Sequence, residues 1–156
     1  MLVSIQREDL DGRPARELIT ALNAELRGAY PEPGANHFGL SAAEIAPGHG
    51  AFLVAYREET PVGCGAVRLL DAATAELKRM YVDPALRGTG IGRRLVEALE
   101  DEARRLGATR IVLETGTRQD AALALYARCG FERIPLYGEY LLSPDTSICL
   151  GKSIGS

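Results

Sequence analysis

The sequence predicts a mixed α/β fold in which a mostly antiparallel sheet carries helices on both faces. Three observations support this class. First, strand-like segments at 51–56, 62–69 and 74–82 are joined by short polar connections suited to hairpins. Second, a glycine-rich loop and an amphipathic helix follow directly. Third, another strand-like segment comes at 109–114, and a helix between two strands favours a right-handed crossover that makes those strands parallel.

The N-terminal part begins with a short strand at 2–6 and a helix that runs from about Pro14 to about Arg27. Proline fits the first turn of a helix, and apolar residues then recur every three or four positions. Between positions 28 and 50 the pattern is lost, apart from a short helical turn that Ser41 would cap. A long irregular segment is either a binding loop or a disordered one, and its aromatic residues favour the binding loop.

After the glycine-rich loop, the sequence predicts a helix over 91–106 with Gly107 as its C-terminal cap. The charged pairs of this helix are interpreted as a solvated face. A capping box at 117–120 predicts the next helix, which runs to Arg128 and ends at Gly130. The final strands are expected at 133–136 and 146–150.

The central motif is the glycine-rich run RGTGIG at 87–92. Crowded glycines leave backbone N–H groups open at the positive end of a helix, and Arg87 adds a charge, so the run indicates a pyrophosphate-binding site. The alternative is a tight strand-to-helix turn that needs glycine only for its backbone angles. A P-loop is excluded because Arg93 and Arg94 stand where lysine and serine or threonine would be, and the alternating glycines do not fit a dinucleotide fingerprint.

Together with MYVDP at 80–84, this run resembles the acetyl-CoA-binding motif of the GCN5-related N-acetyltransferase (GNAT) superfamily. A downstream run, AALALYARCGF at 121–131, resembles the second conserved block of that family, and the resemblance covers roughly residues 50–135. It implies a GNAT-like fold and an acetyl-CoA-dependent N-acetyltransferase that acetylates a primary amine of a small molecule by direct attack in a ternary complex. A protein or peptide N-acetyltransferase and a non-catalytic acyl-CoA-binding regulatory domain stay open as alternatives.

The resemblance also implies which residues contact the ligands. In the family, a backbone N–H of the strand before the loop polarises the thioester carbonyl, and the loop amides hold the pyrophosphate. Gln119 stands where relatives often carry an asparagine that contacts the pantetheine arm. The implied cofactor-binding residues are Met80, Tyr81, Val82, Arg87, Gly88, Thr89, Gly90, Ile91, Gly92, Gln119 and Tyr126. The irregular segment after the first helix is expected to line the acceptor site through Tyr30, His37 and Phe38.

Three residues are candidates for catalysis. Tyr126 matches a family tyrosine that often protonates the departing thiolate or hydrogen-bonds its sulfur, and its alternative is a core aromatic residue. Glu76 matches a family glutamate that acts as a base through water, and its alternative is an outward-facing strand residue balancing Lys78. Glu114, in an apolar strand, is either buried near the site with a raised pKa or exposed at the strand's end. Direct transfer needs no covalent enzyme intermediate, because proximity supplies most of the rate.

Composition limits the other classes. The 156 residues suit a single domain, 1–156, and a net charge of −3 argues against nucleic acid as a partner. No apolar run approaches the ~20 residues of a membrane span, and early charged residues argue against a signal peptide, so we expect a cytoplasmic protein. Three scattered cysteines are interpreted as small buried hydrophobes, and no metal site is expected. Dimers are common among relatives, so the resemblance leaves a homodimer open.

Overall fold

The structure is a computed structural model that describes residues 2–31 and 40–155, and these residues form one seven-stranded sheet. The strands are β1 (Val3–Arg7), β2 (Gly50–Arg57), β3 (Thr60–Leu69), β4 (Thr74–Val82), β5 (Arg110–Gly116), β6 (Glu132–Ile134) and β7 (Ser147–Ser153). Their order in the sheet is β1-β2-β3-β4-β5-β7-β6. The β4–β5 pair is parallel and the other neighbours are antiparallel. The sequence prediction of a mixed, mostly antiparallel sheet is confirmed.

Helices cover both faces of this sheet, as predicted. They are α1 (Arg13–Ala29), α2 (Ile91–Arg105) and α3 (Asp120–Arg128), with 3₁₀ turns at Ala42–Ile45, Pro84–Leu86 and Gly138–Leu142. Helix α1 buries Ala15 and Leu18 against one face. Helices α2 and α3 pack against the other face, where Leu95 and Leu99 join the larger apolar core. We call the first side the α1 face and the second the α2 face.

The parallel pair β4–β5 separates part-way along its length. Its pairing ends at Leu77 and Leu113, whereas β4 continues to Val82 and β5 to Gly116. Beyond that point β4 also bulges, and Arg79 has a φ of 58°. A gap therefore opens in the middle of the sheet, directly before the glycine-rich loop.

One sequence expectation about the helices is wrong, and a second is wrong in part. The predicted capping box at 117–120 does not form: α3 begins at Asp120, and its N-cap residue Gln119 makes no side-chain cap hydrogen bond. The second concerns the charges of α2, which were expected to form a solvated face. Asp101, Arg104 and Arg105 are exposed as expected. Glu100 is buried, as is its neighbour Glu102, and they pair with Lys152 and Arg7 of the sheet at 2.7 and 2.8 Å.

Candidate active site

A cavity of about 680 Å³ lies at the gap between β4 and β5. Its walls include residues 77–82 of β4 and residues 114–116 of β5. The glycine-rich loop and α3 line it on the α2 face, while α1 and Tyr140 line it on the α1 face. A ligand in this cavity would therefore contact both faces of the sheet.

The loop between β4 and α2 is held in place by short local hydrogen bonds. The Asp83 carboxylate accepts a bond from the N–H of Ala85 at 3.0 Å, and the Thr89 hydroxyl donates to the carbonyl of Leu86 at 2.5 Å. Gly90 precedes α2, and no side chain caps this helix. The first N–H groups of α2 are thus left for an anion at the positive end of the helix dipole.

The loop glycines serve two different purposes. Gly88 and Gly90 have φ values of 81° and 94°, and a Cβ atom at either would meet nothing within 4 Å. The space beside them is open and forms part of the cavity. At Gly92, by contrast, a Cβ atom would lie 2.9 Å from Cδ2 of Leu125, so this glycine lets α2 approach α3.

Arginines surround the same end of the cavity. The Nε of Arg87 donates to the carbonyl of Val82 at 3.0 Å, and its Nη2 lies 2.7 Å from Oε1 of Glu25 on α1. Arg87 lines the cavity but shares its charge with that carboxylate. Arg93 and Arg128 line it as well, and no sequence motif distinguishes them from other surface arginines.

The backbone of β4 leaves its ladder beside the cavity. The register with β3 shifts between Cys64 and Ala66, so that Arg79 and Met80 together lie opposite Gly65. A bulge leaves the extra residue outside the ladder, and β5 has already separated at this height. Backbone amides of the bulge are therefore available to a ligand, in the region where the family resemblance implies the carbonyl-polarising N–H.

The side chains of the other cofactor-binding candidates in β4 and the glycine-rich loop lie in different environments. Tyr81 packs on the α1 face with its ring 5.8 Å from Cζ of Arg87, and Val82 is buried in the core of the α2 face. Both line the cavity. The side chains of Thr89 and Ile91 do not: Thr89 is exposed, and Ile91 is buried in the core.

Tyr126 lies on α3 and lines the cavity from the α2 face. Its ring packs edge to face on Phe131 with centroids 5.6 Å apart, so it is also a core aromatic residue. Burial raises the pKa of its hydroxyl, and no described residue accepts or donates a hydrogen bond there. Tyr126 thus combines both interpretations that the sequence left open, a core position and a hydroxyl directed to the cavity.

Glu114 and Lys78 lie side by side where the parallel strands separate, and both line the cavity on the α1 face. Burial raises the pKa of Glu114, although the Ser147 hydroxyl donates to its Oε2 at 2.6 Å and acts in the opposite direction. Burial also lowers the pKa of Lys78, against the attraction of Glu76. Of the two environments considered for Glu114, the structure has the partly buried one.

Glu76 is 1% exposed and does not line the cavity. Nε and Nη2 of Arg68 donate to its Oε1 at 2.9 and 2.8 Å, and Arg68 also pairs with Glu44. The hydroxyls of Tyr137 and Tyr140 donate to its Oε2 at 2.5 and 3.0 Å. Both carboxylate oxygens are therefore engaged within the protein, and the outward-facing alternative for Glu76 is wrong. Its charge raises the pKa of both tyrosines, after burial.

Tyr30 and Gln119 both line the cavity. Tyr30 is buried at the end of α1, and its hydroxyl accepts a bond from the N–H of Arg118 at 2.5 Å. Its ring covers Gly116, where a Cβ atom would clash with the hydroxyl oxygen. The other two expected acceptor contacts, His37 and Phe38, lie outside the described residues.

Several cavity residues have no counterpart among the sequence candidates. Those with charged or polar side chains include Glu25, Lys78, Arg79, Arg93, Arg128, Tyr140 and Thr146. Alternation along β4 places Lys78 on the same side as Glu76, and this signal was present in the sequence. The bulge at Arg79 and the fold of the C-terminal segment around Tyr140 leave no such signal.

Comparison with known proteins agrees with this architecture. A profile of the acetyltransferase (GNAT) family matches residues 15–131. The chain belongs to this family. Its members use acetyl-CoA as the acetyl donor, and the protein is accordingly an acyltransferase.

Individual relatives cover nearly the whole chain. An IAA acetyltransferase from Azospirillum brasilense is 41% identical over 92% of both chains. The crystal structure of a proposed acyl-CoA N-acyltransferase from Klebsiella pneumoniae superposes with a TM-score of 0.84, 30% identity and 98% coverage of both chains. A GNAT family acetyltransferase from Elizabethkingia anophelis, solved with acetyl-CoA bound, shares the fold at a TM-score of 0.68, 18% identity and 97% coverage of both chains.

In the part of the chain that the structure describes, none of the helices has the length and apolar character needed to cross a membrane.

Proposed function

We propose that this acetyltransferase transfers the acetyl group to a primary amine of a small molecule by direct attack within a ternary complex. The observation that carries the proposal is the cavity at the β4–β5 gap. It joins the uncapped start of α2 on one face to Glu114 and Tyr140 on the other. Two substrates bound from opposite faces would meet there, and proximity would supply most of the rate.

The residues at the α2 face fit the donor. Open space beside Gly88 and Gly90 and the uncapped first turn of α2 suit a pyrophosphate. Arg93 and Arg128 add positive charge at the same end of the cavity, and Gln119 lies beside the gap where a pantetheine arm would run. When bound, acetyl-CoA supplies the thioester whose carbonyl carbon the amine attacks.

Glu114 is the proposed general base. It faces the cavity on the α1 face, and its raised pKa brings a carboxylate closer to the range in which it accepts a proton from an ammonium group. The hydroxyl of Ser147 holds Oε2 at 2.6 Å and leaves Oε1 for the acceptor or a bridging water. The amide groups of the β4 bulge are the proposed donors to the thioester carbonyl.

Tyr126 is the proposed general acid for the departing thiolate. A raised pKa keeps its hydroxyl protonated at neutral pH, and that hydroxyl has no hydrogen bond to a described residue. Replacing Tyr126 with phenylalanine should lower kcat more than the affinity for acetyl-CoA, because the ring and its packing on Phe131 are kept.

Glu76 is proposed as a positioning residue. Its carboxylate is fully engaged by Arg68, Tyr137 and Tyr140, so it orients the wall of the acceptor site without facing the cavity itself. A base acting through water would need a free oxygen directed to the acceptor, and Glu114 meets this requirement better.

A small acceptor is supported by the size of the cavity. Its volume of about 680 Å³ has to hold part of the donor as well, so the space left on the α1 face suits a molecule of amino-acid size. Thiol release from acetyl-CoA across a panel of amines and peptides tests the proposal. Binding of coenzyme A without turnover on any acceptor would contradict it, and turnover on peptides alone would contradict the small acceptor.

A further inference from the structure

Arg79 is a partly buried cation that lines the cavity on the α1 face, which we call the acceptor side because the proposed acceptor binds there. It sits at the β4 bulge, where the Cys64 thiol donates to its carbonyl at 3.3 Å. Its guanidinium is held by a neutral group, since Nη1 donates to Oδ1 of Asn23 at 3.2 Å. Among the residues that the structure describes, no carboxylate forms an ion pair with it.

A second cation lies beside it. Lys78 is buried, lines the same side of the cavity and is close enough to Arg79 for their charges to repel. The nearby carboxylates of Glu44 and Glu76 are engaged by Arg68, and neither lines the cavity. Within the described residues, two carboxylates line the cavity with these cations: Glu25 pairs with Arg87, and Glu114 lies beside Lys78.

This balance has a consequence for the ligand. Burial lowers the pKa of Arg79, which reflects the cost of holding this charge without a carboxylate. A guanidinium recovers that cost best from a planar, bidentate anion, and carboxylate has that geometry. A polycation would instead add charge to a wall that is already positive.

We infer that the acceptor is an amine that also carries a carboxylate, as an amino acid does, with its carboxylate bound by Arg79 beside Lys78 and its amine directed to Glu114. This inference rests on the proposed function and names the substrate class of the same site. It separates amino-acid-like acceptors from polyamines and aminoglycosides, which contain amines but no carboxylate.

Matched pairs of acceptors test it directly. Phenylalanine, leucine and lysine are each compared with their decarboxylated amines, phenethylamine, isoamylamine and cadaverine, by thiol release from acetyl-CoA, with spermidine and kanamycin in the same assay. We expect kcat/KM for the best amino acid to exceed that of its decarboxylated partner by about tenfold or more. Faster turnover of the decarboxylated amines, spermidine or kanamycin than of every amino acid would overturn the inference and leave the proposed function standing. Turnover of none of these amines, with coenzyme A bound, would overturn both.

The Arg79→Met variant assigns the preference to this side chain. We expect it to raise KM for the amino acid about tenfold and to remove the preference over the decarboxylated amine, with KM for acetyl-CoA within twofold of the original. Arg79→Lys keeps the positive charge but not the bidentate geometry of the guanidinium, and should restore part of the preference for the amino acid over its decarboxylated amine. Arg57→Met, at an exposed position on β2, is the matched control and should change neither constant. An unchanged preference in a folded Arg79→Met protein would overturn the assignment.

Discussion

At the scale of single residues, two nearby glycines illustrate how one motif serves both folding and binding. Gly92 allows close packing, since a Cβ atom there would lie 2.9 Å from Cδ2 of Leu125 and the end of that side chain would have to shift. Gly90 is required by its φ of 94° and leaves the space beside it open to the cavity. The two interpretations of the run at 87–92, a tight turn and a phosphate site, are therefore compatible.

Gly90→Val should weaken the binding of coenzyme A by at least tenfold, because a branched side chain would fill that space and strain the backbone. Gly107→Val is a matched control. Gly107 also has a φ of 94° and no neighbour within 4 Å, but it lies at the other end of α2. Calorimetry should show normal affinity in the control, although both variants lose roughly 1–3 kcal/mol of stability. Equal losses of affinity would attribute the effect to backbone strain alone.

Glu114→Gln should lower kcat by about 10²–10⁴ and remove the acidic limb of its pH profile. Because the pKa of Glu114 is raised above its ordinary value of 4.5, activity should rise with pH in a window above 4.5, as the carboxylate loses its proton. The acceptor ammonium titrates near pH ~10, so its limb is separate.

The raised pKa of Glu114 also makes its contribution to folding stability depend on pH. The folded state holds this proton more tightly than the unfolded chain, so Glu114 should favour folding at low pH, and that contribution is lost as the pH rises through the same window. Ser147→Ala removes the hydrogen bond that lowers the pKa of Glu114 and should move the acidic limb of the pH profile to higher pH.

For Glu114→Gln, an acidic limb that stays unchanged in the pH profile of kcat would contradict the role of Glu114 as the base.

At the scale of elements, a buried ion pair organises the acceptor side. Arg68 on β3 and Glu76 on β4 are direct cross-strand partners, and Glu76 then binds two tyrosines of the C-terminal segment. The 3₁₀ turn Gly138–Leu142 is thereby fixed to the centre of the sheet, with Tyr140 in the cavity wall. We propose that this carboxylate, which the family resemblance implies is a base, acts instead as an anchor between elements.

Tyr137→Phe should raise KM for the acceptor about three- to tenfold and leave KM for acetyl-CoA and the acidic limb unchanged, because it loosens this anchor. Glu76→Gln should act in the same direction and more strongly. The control is Tyr56→Phe, which breaks a similar 2.8 Å tyrosine–glutamate bond to Glu8 away from the cavity. A loss of the acidic limb in Glu76→Gln, with a normal KM, would show instead that Glu76 is the base.

At the scale of the whole molecule, α2 is joined to the sheet by charges as well as by its apolar stripe. Glu100 binds Lys152 of β7 at 2.7 Å, and Glu102 binds Arg7 of β1 at 2.8 Å. The two strands lie far apart in the strand order, so these pairs connect distant parts of the sheet to one helix.

Lys152→Met should cost about 2–4 kcal/mol in the free energy of unfolding, because it leaves the buried Glu100 carboxylate without its main partner. Arg13→Met breaks the exposed pair with Glu17 and should cost no more than about 0.5 kcal/mol. Urea unfolding measures both values. A cost in Lys152→Met as small as in Arg13→Met would mean that water replaces the lost partner.

More of the fold than of the candidate site can be predicted from the sequence. Periodicity and short connections are local signals, and they give the strands, the helices and the parallel crossover correctly. The loop glycines and Tyr126 also carry a motif. The roles of Lys78, Arg79 and Tyr140 depend on where β4 bulges and how the C-terminal segment folds back, which no local pattern encodes. The buried charges of α2 were missed for the same reason, since their partners lie about 50 and 95 residues away.

The short parallel ladder between β4 and β5 has a mechanical consequence. Only residues 74–77 and 110–113 pair across it, so the two halves of the sheet are joined by a short ladder of hydrogen bonds. A ligand bound in the gap between β4 and β5 would contact both halves of the sheet and favour the folded state by mass action. Amide hydrogens of β7, and those of β5 outside the cavity wall, should then exchange with solvent more slowly in the presence of coenzyme A.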